Sequence, residues 1–363
     1  MGDITSTTEI AGPVDVVFQR TLLETAHAVC PYFVGSLAAE IAEHSGSFTA
    51  KWRRIENLTP TVTPLTELGS TGGSLNLPTR TGTQASVNDL TAAIQKYGVV
   101  IYLSEEVDLI NFTGQTDDLI KKLGINAGQS LNRLQRNELE DNSSQQFAGA
   151  ATTATGVALA MTAADVNNVV NLLQRADALM FTPMSTGSPD TNTTPQRAAF
   201  WGICHVDVEQ DIRGFTGFIP VEQYAGQVAT EIGEFGSFGG VRWVSTSEAS
   251  IDLAAGATTA TGGQRNATGG PIDVYSSIIM GEDHNGSVGL GTAHIEEIYH
   301  AGDPLPAVQL ISKGKGSAGT GDPLDEVTSL AWKSWHAAKV LTNSTTPATG
   351  EWGFALLTAA DDI

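Results

Sequence analysis

The sequence predicts an α+β protein, and three observations carry that reading. One long amphipathic stretch begins near Gln115, several separate segments alternate with a period of two, and runs rich in glycine, serine and threonine punctuate them. At 363 residues the chain can bury a substantial core, in two domains or one large elaborated one. With 41% hydrophobic and 16% charged residues, the composition is that of a folded protein.

After Pro13, Val16, Val17, Leu22, Leu23 and Ala26 recur at helical spacing, and Gly35, Ser45 and Gly46 close this first region. From Phe48 to Glu67 the period becomes two. Trp52, Arg54 and Glu56 then face one way and Lys51, Arg53 and Ile55 the other. Neither face is cleanly apolar, so this strand is expected not to be half buried in its own core. A tip at 68–83, rich in Gly, Ser and Thr, leads to a return strand in which Val99, Val100, Ile101, Tyr102 and Leu103 read as well buried. The two arms make an oversized hairpin, marginal alone and completed by a neighbour.

The strongest helical signal runs from about Gln115 to Phe147, with Leu119, Leu123, Ala127, Leu131 and Leu134 three or four apart. At about 1.5 Å per residue this is a rod about 50 Å long. A linker of Gly, Ala and Thr at 149–156 marks a boundary. Thr162 then reads as the N-cap of a second helix whose periodicity continues from Val166 to Leu179. Strand-like AAFWGICHVDV and FGGVRWVSTSE follow, and alternation resumes in IDVYSSIIMGEDHNGSVGL. No fixed-period repeat is present.

Forty acidic residues against 19 Lys and Arg give a formal charge of -21, which excludes a nucleic-acid binder working by phosphate neutralisation and disfavours an anionic membrane surface. No apolar run approaches the roughly 20 residues of a membrane helix, and the first residues carry no basic and apolar leader. Cys30 and Cys204 sit in apolar surroundings and read as small buried hydrophobes.

No catalytic set assembles. Gly314, Gly316 and Gly319 have GxGxxG spacing, but Gly321, Asp322 and Pro323 break the helix that a dinucleotide site needs, so the segment reads as a structured loop. In HIEEIYH, 294–300, the spacing is not HExxH and alternation scatters the side chains, so it reads as a polar strand with no metal. There is no GxSxG elbow, and Cys204 and His205 point to opposite faces of a strand. These features describe an assembly subunit with no catalytic, cofactor or metal site. A secreted surface-layer or adhesin-like protein is the alternative, opposed by the missing signal and the long helix.

Two segments carry a family resemblance. AKWRRIENLTPTVTPLTE with YGVVIYLSEEVDL, and KGKGSAGTGDPLDEVTSLAWKSWHAAKVL at 313–341, resemble the major capsid proteins of the phage N4 type. The glycine-rich turn with Gly319, then Asp322, Pro323 and Leu324, followed by Trp332 and Lys333, is the more specific motif. The resemblance implies the HK97-like capsid fold, with an N-terminal arm at 1–45 and an extended E-loop at 46–100. It also implies a peripheral domain with the long spine helix at 101–155, an axial domain at 156–290, and a return to the peripheral domain and C-terminal strands at 291–363.

In such shells the E-loop lies across the neighbouring subunit, which would place Lys51, Trp52, Arg53, Arg54, Glu56 and Arg80 at inter-subunit contacts. The implied function is that of a tailed-phage major capsid protein. Hexamers and pentamers would build an icosahedral shell around double-stranded DNA, without sequence-specific binding and without a membrane. Scaffolding, portal and decoration proteins are implied partners, and the virion, assembled in the bacterial cytoplasm, is the implied location.

Overall fold

The computed structural model describes residues 31–41, 46–55, 62, 87–110, 115–181, 198–224, 233–258, 264–266, 270–290, 308–317, 321, 323–341 and 352–361. In chain order the strands are β1 (Leu37–Ile41), β2 (Thr49–Ile55), β3 (Val87–Ala93), β4 (Gln95–Ser104), β5 (Ser144–Phe147), β6 (Phe200–His205), β7 (Ile219–Pro220) and β8 (Glu234–Phe238). They continue as β9 (Val241–Thr246), β10 (Ile251–Asp252), β11 (Val274–Met280), β12 (Asn285–Leu290), β13 (Val308–Lys313), β14 (Val327–Val340) and β15 (Gly353–Thr358). The α-helices are α1 (Glu105–Ile110), α2 (Gln115–Asn142), α3 (Ala163–Arg175) and α4 (Val206–Arg213).

β14 organises the first, five-stranded sheet. β4 pairs along one edge of it, from Val327↔Ser104 to His336↔Gln95, while β13 and β12 share the other edge. β1 then adds in parallel to β12. The long helix α2 crosses one face of this sheet because its apolar stripe, Ile120, Leu123, Ala127 and Leu131, is buried against Val308, Leu330 and Trp332. The helix is shorter than the sequence predicts. It stops at Asn142 because Ser143 turns its hydroxyl to His284 Nε2 at 2.9 Å and the chain then enters β5, which pairs in parallel with β15.

The β2–β3 hairpin covers part of the opposite face, in the register Arg53↔Asp89. Ala50, Trp52, Ala92 and Ile94 are buried against Val288 and Ala337, and Phe48 stacks on Trp335 with ring centroids 5.9 Å apart. The strand is therefore half buried within its own chain, contrary to expectation. Its inward face is apolar only at Ala50 and Trp52, too short a stretch to stand out from the alternation. Trp52 reaches the sheet where Gly286 leaves room: a Cβ there would lie 2.5 Å from the indole ring.

The return strand departs from expectation in the other direction. β4 forms, but Val99, Val100 and Tyr102 are 43%, 45% and 69% exposed, because β4 is an edge strand. Val100 and Tyr102 lie on the face that the hairpin does not reach, and Val99, opposite Trp332, lies on the α2 face at the sheet's open edge.

The second sheet has eight strands in the order β5-β15-β11-β6-β9-β8-β7, with β10 also on β11. Every residue of β11 is buried, so the expected alternation there is overridden by cover on both faces. Tyr275 and Ile279 pack with Val166 and Val170 of α3, and Val274, Ile278 and Met280 pack with Val157 and Val244. Thr162 caps α3 as expected: its side chain accepts from Asp165 N while the Asp165 carboxylate accepts from Thr162 N at 3.0 Å. α3 ends at Arg175, before Leu179. The strand expected through Val208 ends at His205, whose Nδ1 accepts from Asp207 N at 3.1 Å and starts α4.

Sheet membership cuts across the sequence-drawn divisions. β5 and β15, from segments 101–155 and 291–363, lie in the eight-stranded sheet. β12, from 156–290, and β1, from 1–45, lie in the five-stranded one. The reason is pairing at long range, which local composition does not encode.

Candidate assembly surfaces

The outward face of the hairpin holds Lys51 and Arg53, two of the cations singled out in the sequence. Arg53 Nε and Nη2 donate to the two carboxylate oxygens of Asp89 at 2.9 and 3.3 Å, and Lys51 Nζ lies 2.5 Å from Asp89 Oδ2. The Arg53 and Lys51 hydrogen bonds pull the Asp89 carboxyl down to about 2. One carboxylate thus serves two cations, and the outward face keeps a net positive charge. Trp52 points the other way, into its own core. The Arg54 side chain, Glu56 and Arg80 lie outside the described residues.

The second motif divides between a tip and a core. Pro323 and Leu324 sit in an exposed turn ahead of β14, Leu324 74% exposed, while Gly319 and Asp322 lie outside the described residues. Trp332 is buried under α2 and donates its indole N–H to Asn126 Oδ1 at 2.9 Å. Lys333, one residue on, faces away from α2.

Two buried groups escaped sequence reading. Glu248, in the loop after β9, accepts from Arg133 Nε at 2.5 Å and Gln129 Nε2 at 3.1 Å, and its carbonyl accepts from Arg136 at 2.6 Å. It fastens α2 to the loops of the eight-stranded sheet. His336 is 1% exposed beside Phe33, with ring centroids 5.6 Å apart, and burial lowers its pKa to about 4. Neither had a local signal, since each partner lies far away in sequence.

Among the described residues, no three His, Cys, Asp or Glu side chains converge on a point that could hold a metal. Cys204 is buried, and burial pushes its thiol pKa up, with Glu209 and Asp211 adding to the effect. Gly314 and Gly316 lie in the turn after β13, whereas Cys30, Gly319 and the HIEEIYH segment lie outside the described residues. Among the described residues, no helix is long and apolar enough to cross a membrane.

Comparison with known proteins places this geometry. Residues 87–350, well over half of the chain, match the phage capsid protein family. No curated relative matches. The structure is similar to the capsid of Ralstonia phage GP4, with a TM-score of 0.62 at 10% identity over 90% of this chain and 88% of that one. It is similar to the capsid of cyanophage Pam1, with a TM-score of 0.53 at 11% identity over 91% and 90% of the two chains. It is also similar to the head of Helicobacter pylori bacteriophage KHP40, with a TM-score of 0.51 at 10% identity over 92% and 91%. The fold is the α+β, HK97-like capsid fold, and the chain belongs to the phage capsid protein family.

Proposed function

We propose that this major capsid protein, of the phage N4 type, builds an icosahedral shell as hexamers and pentamers. The observation that carries this is the family match joined to the HK97-like fold over nine tenths of the chain. In this reading residues 1–45 form the arm, 46–100 the E-loop, 101–155 with α2 the peripheral domain, to which 291–363 return, and 156–290 with α3 and α4 the axial domain.

Lys51 and Arg53 face a neighbouring subunit, joined there by Arg54, Glu56 and Arg80, while Trp52 holds the base of the loop to its own chain. Rim ion pairs contribute only about 0–1 kcal/mol each, so these cations set register, and repeated engagement of every subunit at several interfaces supplies the cohesion. Of the motif residues, Pro323 and Leu324 lie in the loop ahead of β14 and Trp332 and Lys333 in its sheet, and Gly319 and Asp322 belong to the same family motif.

The shell encloses double-stranded DNA without sequence-specific contact, and an inner wall carrying much of the -21 charge repels the packaged genome. Scaffolding, portal and decoration proteins are its partners. The virion is its destination and the host bacterial cytoplasm its place of assembly.

The test is negative-stain microscopy with light scattering on the full chain expressed in a bacterial cytoplasm. Closed shells, or rings of five or six subunits, are expected. A strictly monomeric particle at every salt and protein concentration would contradict self-assembly.

A further inference from the structure

Charge is distributed unevenly over the five-stranded sheet. Although the chain holds 40 acidic residues, none falls in β4, β12, β13 or β14, which carry Lys96, Lys313, Lys333 and Lys339. Lys339 turns to Glu138 of α2 at 3.2 Å. Cross-strand partners share a face. The pairs Trp335↔Lys96, Ala331↔Val100, Ser329↔Tyr102, Lys333↔Gln309 and Lys313↔Ser329 therefore place the other three lysines with Val100 and Tyr102 on the face opposite Leu330 and Trp332, away from α2.

Lys96 stands 5.8 Å over the Trp335 ring, and Lys313 is exposed. Among the described residues, the part of this face formed by β4, β13 and β14 is thus basic, without a carboxylate and partly apolar, with Tyr102 its most exposed apolar side chain. A lone surface Val or Tyr needs no explanation, but apolar exposure joined to a single sign of charge is the character of a docking surface.

The complementary surface lies on the same chain. Where β4 ends and β14 begins, Glu105 N donates to Glu326 O at 2.8 Å and brings Glu105 and Glu106 beside Asp325 and Glu326. Lys315 approaches Glu105 at 3.5 Å and offsets one of these charges. Leu324, Val107 and Val327 are 74%, 46% and 38% exposed around them. This tip is acidic and apolar where the sheet face is basic and apolar.

We infer that the acidic tip of one copy docks on the lysine-bearing sheet face of the next. Two different patches joined head to tail make a heterologous contact, the kind that closes into a ring when the rotation permits. The inference rests on the capsid reading and names a pairing within it. The exposed apolar side chains favour a protein occupant over DNA, which would call for a denser basic patch.

The test is a charge swap in the full chain. Lys313→Glu with Lys333→Glu, and separately Glu106→Lys with Glu326→Lys, are each expected to lower the fraction of chain in shells or rings about tenfold at low salt. Combining all four is expected to restore it. Thermal melts of the unassembled subunit check folding, and if Lys333→Glu lowers the melt, Lys96→Glu replaces it.

No loss in either pair, or a quadruple variant no better than the pairs, would overturn the docking. So would normal empty shells that only fail to retain DNA, which would assign the face to the genome. Failure of the unaltered chain to assemble would instead overturn the capsid reading on which the inference rests.

Discussion

The indole of Trp332 and the side chain of Asn126 meet at 2.9 Å, and this hydrogen bond sets where α2 crosses β14. Trp332 sits in the apolar layer of Leu123, Ala127 and Leu330 yet satisfies its one polar atom at the rim of that layer. Trp332→Phe keeps most of the burial and loses the bond, so a destabilisation of about 1 kcal/mol is expected. Trp332→Ala also opens a cavity and should cost about 3–5 kcal/mol. Urea unfolding of the unassembled subunit followed by circular dichroism measures both, and equal losses would show that the bond, not the packing, dominates.

Gly286 is the second point at which the sheet depends on one residue. Any side chain there meets the Trp52 ring on one face of β12, so Gly286→Ala forces the hairpin off the sheet. Overpacking of this kind costs about 1–3 kcal/mol. Limited proteolysis is the direct readout: cleavage near β2 and β3 should accelerate while the eight-stranded sheet stays protected. Unchanged cleavage would mean that the hairpin is held by other contacts.

The parts legible in sequence are those whose signals are local. The apolar stripe of α2 and the Thr162 N-cap are both set within a few residues. The end of α2 was misread because β5 is recruited by β15, two hundred residues away. The burial of Trp52 was missed because its socket is a glycine in β12, and the exposure of Val100 and Tyr102 because an edge strand and a central strand have the same composition. Glu248 and His336 had no sequence signal for the same reason: burial and partners are properties of the fold.

Glu248 fastens α2 to the loops of the other sheet through one carboxylate that is nearly buried. Glu248→Gln keeps the shape and removes the charge from bonds to Arg133 and Gln129. Arg133 is itself half exposed, which limits the effect to about 1–2 kcal/mol. Hydrogen exchange should then rise in the C-terminal half of α2 more than around Leu123. Uniform exchange along the helix would contradict a local fastening.

His336 gives the subunit an acid-sensitive point. Burial depresses its folded-state pKa to about 4, while the Val288 carbonyl opposes this more weakly. In the unfolded chain the same imidazole titrates near 6.5. Above pH 6.5 it is neutral in both states and contributes nothing to pH dependence. Between 6.5 and 4 the unfolded chain binds the proton and the folded one resists it, so stability falls with pH by up to about 3 kcal/mol. Asp211 works against this in part, because burial and the nearby Asp361 raise its pKa to about 6 and make its contribution largest at low pH. His336→Phe removes the first effect and leaves the second. Unfolding free energies at pH 7, 5.5 and 4.5 should therefore fall less steeply in His336→Phe than in the unaltered chain, and parallel profiles would show that His336 is already protonated in the fold.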